Sequence, residues 1–250
     1  MPTAPIILSI TSIAERIELF LSHMDWLAAQ TVRPQLTVIW LGEEQFPSAR
    51  RAELAARYPL PFDVELRYRP DLGPQTKLLY ALREFPADAI ITGDDDIIYP
   101  PFWIEELAAA YAADPTLIHC ARAHLIKPGS DGLPAPYAEW GWLAPGVQGP
   151  SQLLYPTGTC GVLYPPGALH PEVWNLELMR ALCPTNDDTW FKAMALLQGT
   201  AARKLRPASL EFPHIPGSEV RMLWSVNEGR NDAQLAAVFG HYELASRLAS

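Results

Sequence analysis

The chain has 250 residues, of which 49% are hydrophobic, 10% aromatic and 19% charged. This composition is that of a folded globular protein, and it excludes disorder, collagen and coiled coil as descriptions of the whole chain. The 19 Lys and Arg against 28 Asp and Glu give a net charge of −9. No nucleic-acid partner is expected, because such partners require a basic surface.

Cysteine and hydropathy patterns indicate a cytoplasmic protein. Cys120, Cys160 and Cys183 are widely separated and show no CxxC spacing, so neither a zinc knuckle nor a disulfide framework is predicted. The N-terminal residues lack a basic region, and no apolar stretch reaches about 18 residues. We therefore expect neither a signal peptide nor a membrane-spanning segment.

Strands and helices alternate through the first half of the chain. Residues 6–10 are apolar and β-branched, as in a parallel strand buried on both faces. Apolar residues from Ile13 to Leu27 recur at helical spacing, and Ser12 with Glu15 predicts the cap of one helix that reaches about Ala29. The further elements expected are strand 36–41, helix 48–58, strand 64–68, helix 76–84, strand 89–92, helix 101–111 and strand 117–122.

The second half is less regular. Residues 127–150 are rich in Pro, Gly, Tyr and Trp without periodicity, and a segment of this length inside a compact domain indicates a functional excursion. The elements expected after it are a strand at 161–164, a helix at 176–182, a helix from Asp187 that Gly199 terminates, and an amphipathic helix at 231–248.

This alternation with short connections predicts an α/β fold, a single Rossmann-like domain over residues 1–250 with a mostly parallel central sheet flanked by helices. In such sheets ligands bind beyond the carboxyl ends of the strands. The residues directly after each strand are therefore the candidate site residues.

Three consecutive carboxylates, Asp94, Asp95 and Asp96, follow the expected strand 89–92. Adjacent carboxylates repel one another, and a divalent cation relieves that repulsion. Carboxylate oxygens suit Mg²⁺ or Mn²⁺, which in such sites also bind substrate phosphates. The run therefore predicts a metal site for a diphosphate. The alternative is an Asp-rich turn whose side chains cap the following helix.

Asp187 and Asp188 form a second acidic cluster, in the first turn of an expected helix. Thr185 or Asn186 can cap that helix, and its dipole favours negative charge there, which accounts for both aspartates without catalysis. A carboxylate at this place can also take a proton from a hydroxyl nucleophile. Both interpretations can hold, with one aspartate capping and the other catalytic.

Three motifs follow one another in the chain: a strand leading into Gly-Asp-Asp-Asp at 93–96, Thr-Gly-Thr-Cys-Gly-Val-Leu-Tyr-Pro-Pro at 157–166, and Asn-Asp-Asp-Thr-Trp-Phe at 186–191. This order resembles the GT-A glycosyltransferases, close to the bacterial family 2-like enzymes of surface polysaccharide synthesis. The resemblance covers most of residues 5–215.

The resemblance implies an enzyme that moves a sugar from a nucleotide-diphosphate sugar to a hydroxyl of a surface glycan or of its lipid-linked precursor, with inversion. Residues 1–125 would form the half that binds the donor, and residues 126–250 the half that binds the acceptor. The enzyme would be cytoplasmic. Because a lipid-linked acceptor is held in the membrane, peripheral association with the inner face of the membrane is a second option.

The resemblance also implies roles for single residues. Asp96 would bind Mn²⁺ or Mg²⁺, Asp94 would lie near the metal or the ribose, and His214 would be a further metal ligand. Asp188, or else Asp187, would be the general base. The donor-binding residues that it implies are Thr11, Arg16, Asp71, Lys77, Asp94, Asp95, Gly158 and Gly161, and the acceptor-binding residues are Trp140, Trp142 and Tyr155.

Several of these residues also have a structural interpretation. Arg16 can be a solvated surface residue, and the two glycines can serve only a turn. The aromatic residues, with Tyr137 beside them, can pack a lid or the core instead of stacking on a sugar. Lys77 is different, because a lysine in the first turn of a helix opposes the helix dipole. Its position calls for an anionic neighbour, which a phosphate would supply.

Other classes of protein fit the sequence less well. A haloacid-type phosphatase carries its acidic pair after the first strand, whereas here the run follows the fourth. A nucleotidyltransferase usually has a Gly-rich loop after the first strand, which residues 11–14 lack. A non-catalytic sugar- or nucleotide-binding module is the alternative outside enzymes. The strand at 36–41 is followed by Gly-Glu-Glu in place of the acidic pair that reads the base in many family 2 enzymes, so the nucleobase stays open.

Overall fold

The computed structural model describes residues 5–129, 133–218 and 229–248. The strands are β1 (Ile6–Ser12), β2 (Leu36–Gly42), β3 (Val64–Arg69), β4 (Ala89–Asp94), β5 (Ile118–Cys120), β6 (Ala123–Leu125), β7 (Leu154–Pro156), β8 (Val162–Tyr164) and β9 (Ala202–Lys204). The α-helices are α1 (Ile17–Ser22), α2 (Asp25–Ala28), α3 (Ser48–Arg57), α4 (Thr76–Glu84), α5 (Trp103–Ala113), α6 (Leu176–Leu182), α7 (Asp187–Gln198) and α8 (Asn231–His241).

The central sheet has seven strands in the order β3-β2-β1-β4-β8-β5-β9. β1 pairs in parallel with β2 and β4, β2 with β3, and β5 with β9, while β8 runs antiparallel to both of its neighbours. The predicted α/β fold with a mostly parallel sheet is confirmed. Thr11 of β1 lies opposite Asp94 of β4, so the two strands bring their last residues to the same edge.

Each face of the sheet has its own apolar core. Successive side chains of a strand point to opposite faces, and β2 shows this directly, since Ile39 belongs to one core and Trp40 to the other. Trp190 of α7 is buried on the face of Trp40, and Trp103 of α5 is buried on the face of Ile39. Burial on both faces explains why the strands are continuously apolar.

The expected single helix from Ser12 to about Ala29 is wrong. β1 continues through Ser12, and two short helices, α1 and α2, follow it. The Ser12 hydroxyl donates to Asp95 Oδ2 at 2.5 Å, so it joins the ends of two strands instead of capping a helix. Helical spacing cannot reveal this contact, because the two residues are 83 positions apart.

Three strands of the second half were not predicted. β6, β7 and β9 have three residues each, which is too short for a periodic pattern. β6 and β7 pair as a separate antiparallel ribbon. The Pro-rich excursion leaves and returns through this ribbon, which fixes its two ends to each other.

The helices with clean periodicity are confirmed. α4 and α6 have the predicted bounds, and α7 ends at Gly199, whose φ of +82° places it in the left-handed region that favours glycine. The predicted tail helix begins at Asn231 as expected but ends at His241, and a short 3-10 turn follows it. Of the helices described, none is both long and apolar enough to cross a membrane.

Candidate functional site

A cavity of about 560 Å³ opens at the edge of the sheet where β1 and β4 end. Both halves of the chain form its wall, the second through the turn at 158–160 and the first residues of α7 and α8. The predicted site residues that line it are Thr11, Arg16, Asp71, Lys77, Asp94, Asp95, Asp96, Tyr155, Gly158, Asp187, Asp188 and His214. The other lining residues are Ser12, Ile13, Gly73, Pro74, Tyr137, Thr159, Asn186 and Asn231.

Asp95 is the buried member of the acidic run. Its carboxylate accepts from Arg16 Nε at 3.0 Å and lies 2.6 Å from Arg16 Nη2, while the Ser12 hydroxyl donates to the same group. Burial raises the pKa of Asp95, and Arg16 opposes that shift. The guanidinium of Arg16 is thereby held at the cavity wall. Arg16 is not a freely solvated residue, and Asp95 anchors the turn that carries its two neighbours.

Asp96 is the member of the run that forms no ion pair with a lysine or arginine among the described residues. Burial, reinforced by Asp94 and Asp95, raises the pKa of Asp96 to about 6. His214 is fixed beside it, because Ile215 N–H donates to the Asp96 carbonyl at 2.7 Å, and His214 Nδ1 lies 3.8 Å from Asp96 Oδ2. The Asp96 carboxylate therefore lies where a cation would be stabilised.

The donor set of this turn fits a divalent ion. Asp94 and Asp96 offer hard carboxylate oxygens, and His214 offers an imidazole. Within the described part of the chain, no three His, Cys, Asp or Glu side chains are arranged as a full metal site. Mg²⁺ is usually held by one or two carboxylates together with substrate phosphates, so an incomplete set of protein ligands agrees with an ion that arrives with a diphosphate.

Lys77 lies between the two acidic clusters. Its Nζ is 2.7 Å from Asp94 Oδ1 and 3.0 Å from Asp187 Oδ2. Burial lowers the pKa of Lys77, but Asp187, Asp94 and Asp188 outweigh it and hold that pKa well above its usual value. Carboxylates of the protein itself therefore supply the anionic neighbours that a lysine requires at this helix end, where the sequence led us to expect a phosphate.

Asp187 and Asp188 are not needed to cap α7. Asn186 is the cap, since its side-chain oxygen accepts from Thr189 N–H at 2.9 Å. Asp188 Oδ1 instead accepts from Gly158 N–H at 2.9 Å. Burial and the neighbouring Asp187 raise the pKa of Asp188 to about 8. Asp188 is thus a basic carboxylate at the cavity wall.

The two predicted donor-binding glycines differ in what requires them. A Cβ on Gly158 would lie 3.0 Å from Lys77 Nζ and 3.3 Å from Asp188 Oδ1, so glycine allows these charged groups to approach the turn. Gly161 has a φ of +94°, and its Cβ would lie 2.5 Å from the Trp103 ring. Gly161 is among the described residues but not among those that line the cavity, and its close neighbour is Trp103.

The aromatic residues considered for the acceptor also differ in position, since the tyrosines line the cavity and the tryptophans do not. Tyr155 lines the cavity, with its hydroxyl 2.7 Å from Thr189 Oγ1, and Tyr137 lines it as well. Trp140 is buried and donates to the Ala135 carbonyl. Trp142 stacks on His124, with 4.0 Å between the ring centroids, and is 45% exposed. Neither Trp140 nor Trp142 is among the described residues that line the cavity.

The wall that the first half of the chain contributes to the cavity is also held by hydrogen bonds. The Thr11 hydroxyl donates to the Trp40 carbonyl at 3.1 Å, and Asp71 accepts from Gln45 Nε2 and from Gly73 N–H. Gln45 was not expected here, because its position after β2 carries no local signal.

Asn231 is a wall residue that sequence patterns missed. Asn186 Nδ2 donates to Asn231 Oδ1 at 2.7 Å, and this bond joins the first residues of α7 and α8 at the cavity. The two asparagines are 45 positions apart. No local spacing brings them together, so only the folded chain reveals the contact.

Comparison with known proteins gives the fold and no family. No protein-family model matches the sequence, and no curated protein does. Residues 1–349 of S. aureus TarS align with 83% of this chain at 14% identity and a TM-score of 0.49, and this chain covers 59% of that chain.

Two further solved structures align more completely. A mannosyltransferase from Pyrobaculum calidifontis, in complex with GDP-Man and Mn²⁺, covers 98% of this chain at 13% identity with a TM-score of 0.51, and the match takes in 69% of that chain. A 4-diphosphocytidyl-2C-methyl-D-erythritol synthase covers 91% of this chain and 99% of its own, at 12% identity and a TM-score of 0.50. These likenesses show a GT-A, Rossmann-like fold.

Proposed function

We propose that this chain is a metal-dependent glycosyltransferase that moves a sugar from a nucleotide-diphosphate sugar to an acceptor hydroxyl, with inversion. The observation that carries the proposal is the convergence of two acidic clusters and Lys77 on one cavity, where β1 and β4 end. The fold likeness to a mannosyltransferase that binds GDP-Man and Mn²⁺ supports it.

The donor would occupy the side of the cavity formed by the first half of the chain. Asp96 and Asp94, with His214 beside them, would hold Mn²⁺ or Mg²⁺. Such an ion stabilises negative charge on a leaving diphosphate. Lys77 supplies a second positive charge, and Thr11 and Arg16 line the wall on which the nucleotide would lie. Asp71 and Asp95 lie on the same side of the cavity. Asp71 would contact the nucleotide, and Asp95 would anchor Arg16.

The acceptor would occupy the opposite side, on which Asp188 acts as general base. Its carboxylate takes the proton of the acceptor hydroxyl while that oxygen forms a bond to the anomeric carbon. The bond from the anomeric carbon to the phosphate oxygen breaks, and the nucleoside diphosphate leaves with the electron pair. Gly158 N–H fixes one oxygen of Asp188, and Tyr137 offers a ring for the acceptor sugar. Tyr155, predicted for the same role, is only 1% exposed and packs behind Tyr137, so it would support that ring instead of stacking on the sugar.

The acceptor that we propose is a surface glycan or its lipid-linked precursor, used in the cytoplasm or at the inner face of the membrane. This assignment rests on the order of the sequence motifs. The same motif order would divide the single domain into a donor half, residues 1–125, and an acceptor half, residues 126–250. The cavity receives side chains from both halves, as such a division requires.

A panel of nucleotide sugars tests the proposal. We expect one of them to raise the melting temperature in the presence of Mn²⁺ but not of EDTA, because a ligand selective for the native state stabilises it. The same sugar nucleotide should release its nucleoside diphosphate in a Mn²⁺-dependent reaction. Release of pyrophosphate from a nucleoside triphosphate would indicate a nucleotidyltransferase instead. Binding without turnover, with acceptors supplied, would indicate a non-catalytic module.

A further inference from the structure

We propose that Lys77 makes divalent-ion binding depend on the diphosphate: its ammonium holds Asp94 in the ligand-free site, and phosphate oxygens draw it away when the ion and the diphosphate bind together. The inference rests on the proposed function in one respect, the binding of the ion at Asp94 and Asp96. It adds to that function that the metal ion binds weakly by itself and tightly together with the diphosphate.

The position of the ammonium carries the first step. Lys77 is 6% exposed, and its Nζ contacts Asp94 Oδ1 and Asp187 Oδ2 at 2.7 and 3.0 Å. The missing side chain of Gly158 makes room for it, since a Cβ there would lie 3.0 Å from Nζ. An ion that binds Asp94 therefore has to share this carboxylate with a positive charge that the fold holds in place.

The charges around the ammonium carry the second step. Asp95 is paired with Arg16 through two contacts. Arg16 and Lys77 are the lysine and arginine residues among the described residues of the cavity wall. Because Arg16 is paired with Asp95, Lys77 is the one that faces Asp94, Asp187 and Asp188. It partly neutralises the cluster and repels a divalent ion at short range. Removal of this one charge should strengthen binding of the metal alone.

A diphosphate reverses the effect. Lysine carries a compact charge on a flexible four-carbon stem, so its ammonium can move from Asp94 to a phosphate oxygen within the same cavity. That movement frees Asp94 for the ion. The metal and the diphosphate should then strengthen each other's binding, and thermodynamic linkage makes this coupling equal in both directions.

Titration calorimetry with Mn²⁺ and inorganic pyrophosphate tests this, because pyrophosphate has the charge of the donor and no base. In the unaltered protein, saturating pyrophosphate should raise Mn²⁺ affinity by roughly tenfold or more, after correction for the complex that the two form in solution. In Lys77→Gln, which keeps a hydrogen-bonding side chain without charge, Mn²⁺ alone should bind roughly tenfold more tightly and the coupling should fall. Lys77→Met should behave alike, and Lys127→Met, at an exposed lysine, should match the parent.

The outcomes separate the inference from the proposed function. If Mn²⁺ alone binds Lys77→Gln as weakly as the parent, or more weakly, the inference is overturned while the metal site stands. If the unaltered protein binds Mn²⁺ equally with and without pyrophosphate, the inference is overturned even where no variant folds. If it binds no Mn²⁺ under either condition, the proposed metal site falls together with the inference.

Discussion

Three adjacent aspartates of the same chemistry have three different environments. Asp94 contacts a lysine, Asp95 is paired with an arginine at the cavity wall, and Asp96 lies 3.8 Å from a histidine. The sequence locates the run, because carboxylates after a buried strand are conspicuous. It does not assign the roles, because the partner of each carboxylate comes from a distant part of the chain.

The three environments predict different losses on neutralisation. Asp96→Asn should abolish the Mn²⁺ dependence of nucleotide-diphosphate binding without lowering the melting temperature, because above about pH 6 it removes a carboxylate whose ionisation is unfavourable in the folded protein. Asp95→Asn is its matched control, since it leaves Arg16 without its buried partner and should cost about 3 kcal/mol of unfolding free energy. Calorimetry and urea unfolding measure the two effects. Metal-dependent affinity equal to that of the parent in Asp96→Asn would contradict the metal assignment.

Asp188 should be the residue whose loss slows the reaction without weakening donor binding. Asp188→Asn should lower kcat by roughly 10² to 10⁴. In the parent, the rate should rise with pH as the carboxylate ionises near its pKa of about 8, and this rise should be absent in the variant. Asp187→Asn is the control at the adjacent position. A large loss there, with normal turnover in Asp188→Asn, would transfer the role to Asp187.

At the scale of elements, periodic segments were predictable and contacts between elements were not. The bounds of α4 and α6 were predicted from the sequence and are those of the structure. Ser12 has the spacing of a helix cap but completes β1, because a buried hydrogen bond to Asp95 competes with capping. Strands of three residues, such as β9, carry too few side chains for a pattern.

The turn before β8 gives a prediction at this scale. Gly161→Ala should destabilise the protein more than Gly199→Ala, because both residues have positive φ but a Cβ meets the Trp103 ring only at Gly161. Gly199→Ala should cost about 1–2 kcal/mol from the backbone alone, and crowding should add about 1–3 kcal/mol at Gly161. Urea unfolding measures both losses. Equal losses would show that Trp103 moves aside without cost.

The whole molecule is acidic, and the cavity concentrates part of that charge. Asp96 and Asp188 have folded-state pKa values of about 6 and about 8, above the usual value of 3.8. Between 3.8 and these values the folded protein binds more protons than the unfolded chain. Ionisation of the two groups therefore lowers the free energy of unfolding as the pH rises.

A comparison of two proteins isolates this effect from other titrating groups. In EDTA, the stability of Asp188→Asn relative to the parent should increase from about pH 5 to about pH 8, because in this range the Asp188 carboxyl is ionised in the unfolded parent but still protonated in the folded parent. Urea unfolding at several pH values gives the difference. A difference that stays constant over this range would contradict the raised pKa of Asp188.

The antiparallel strand β8 also determines how the protein can be divided. It lies between β4 and β5 and hydrogen-bonds to both, so the second half of the chain supplies a central strand to the sheet of the first. A fragment that stops near residue 125 would lack this strand and leave β4 as an open edge, ready to pair with another molecule. We therefore expect such a fragment to aggregate, and the first half of the chain to require the second half in order to fold.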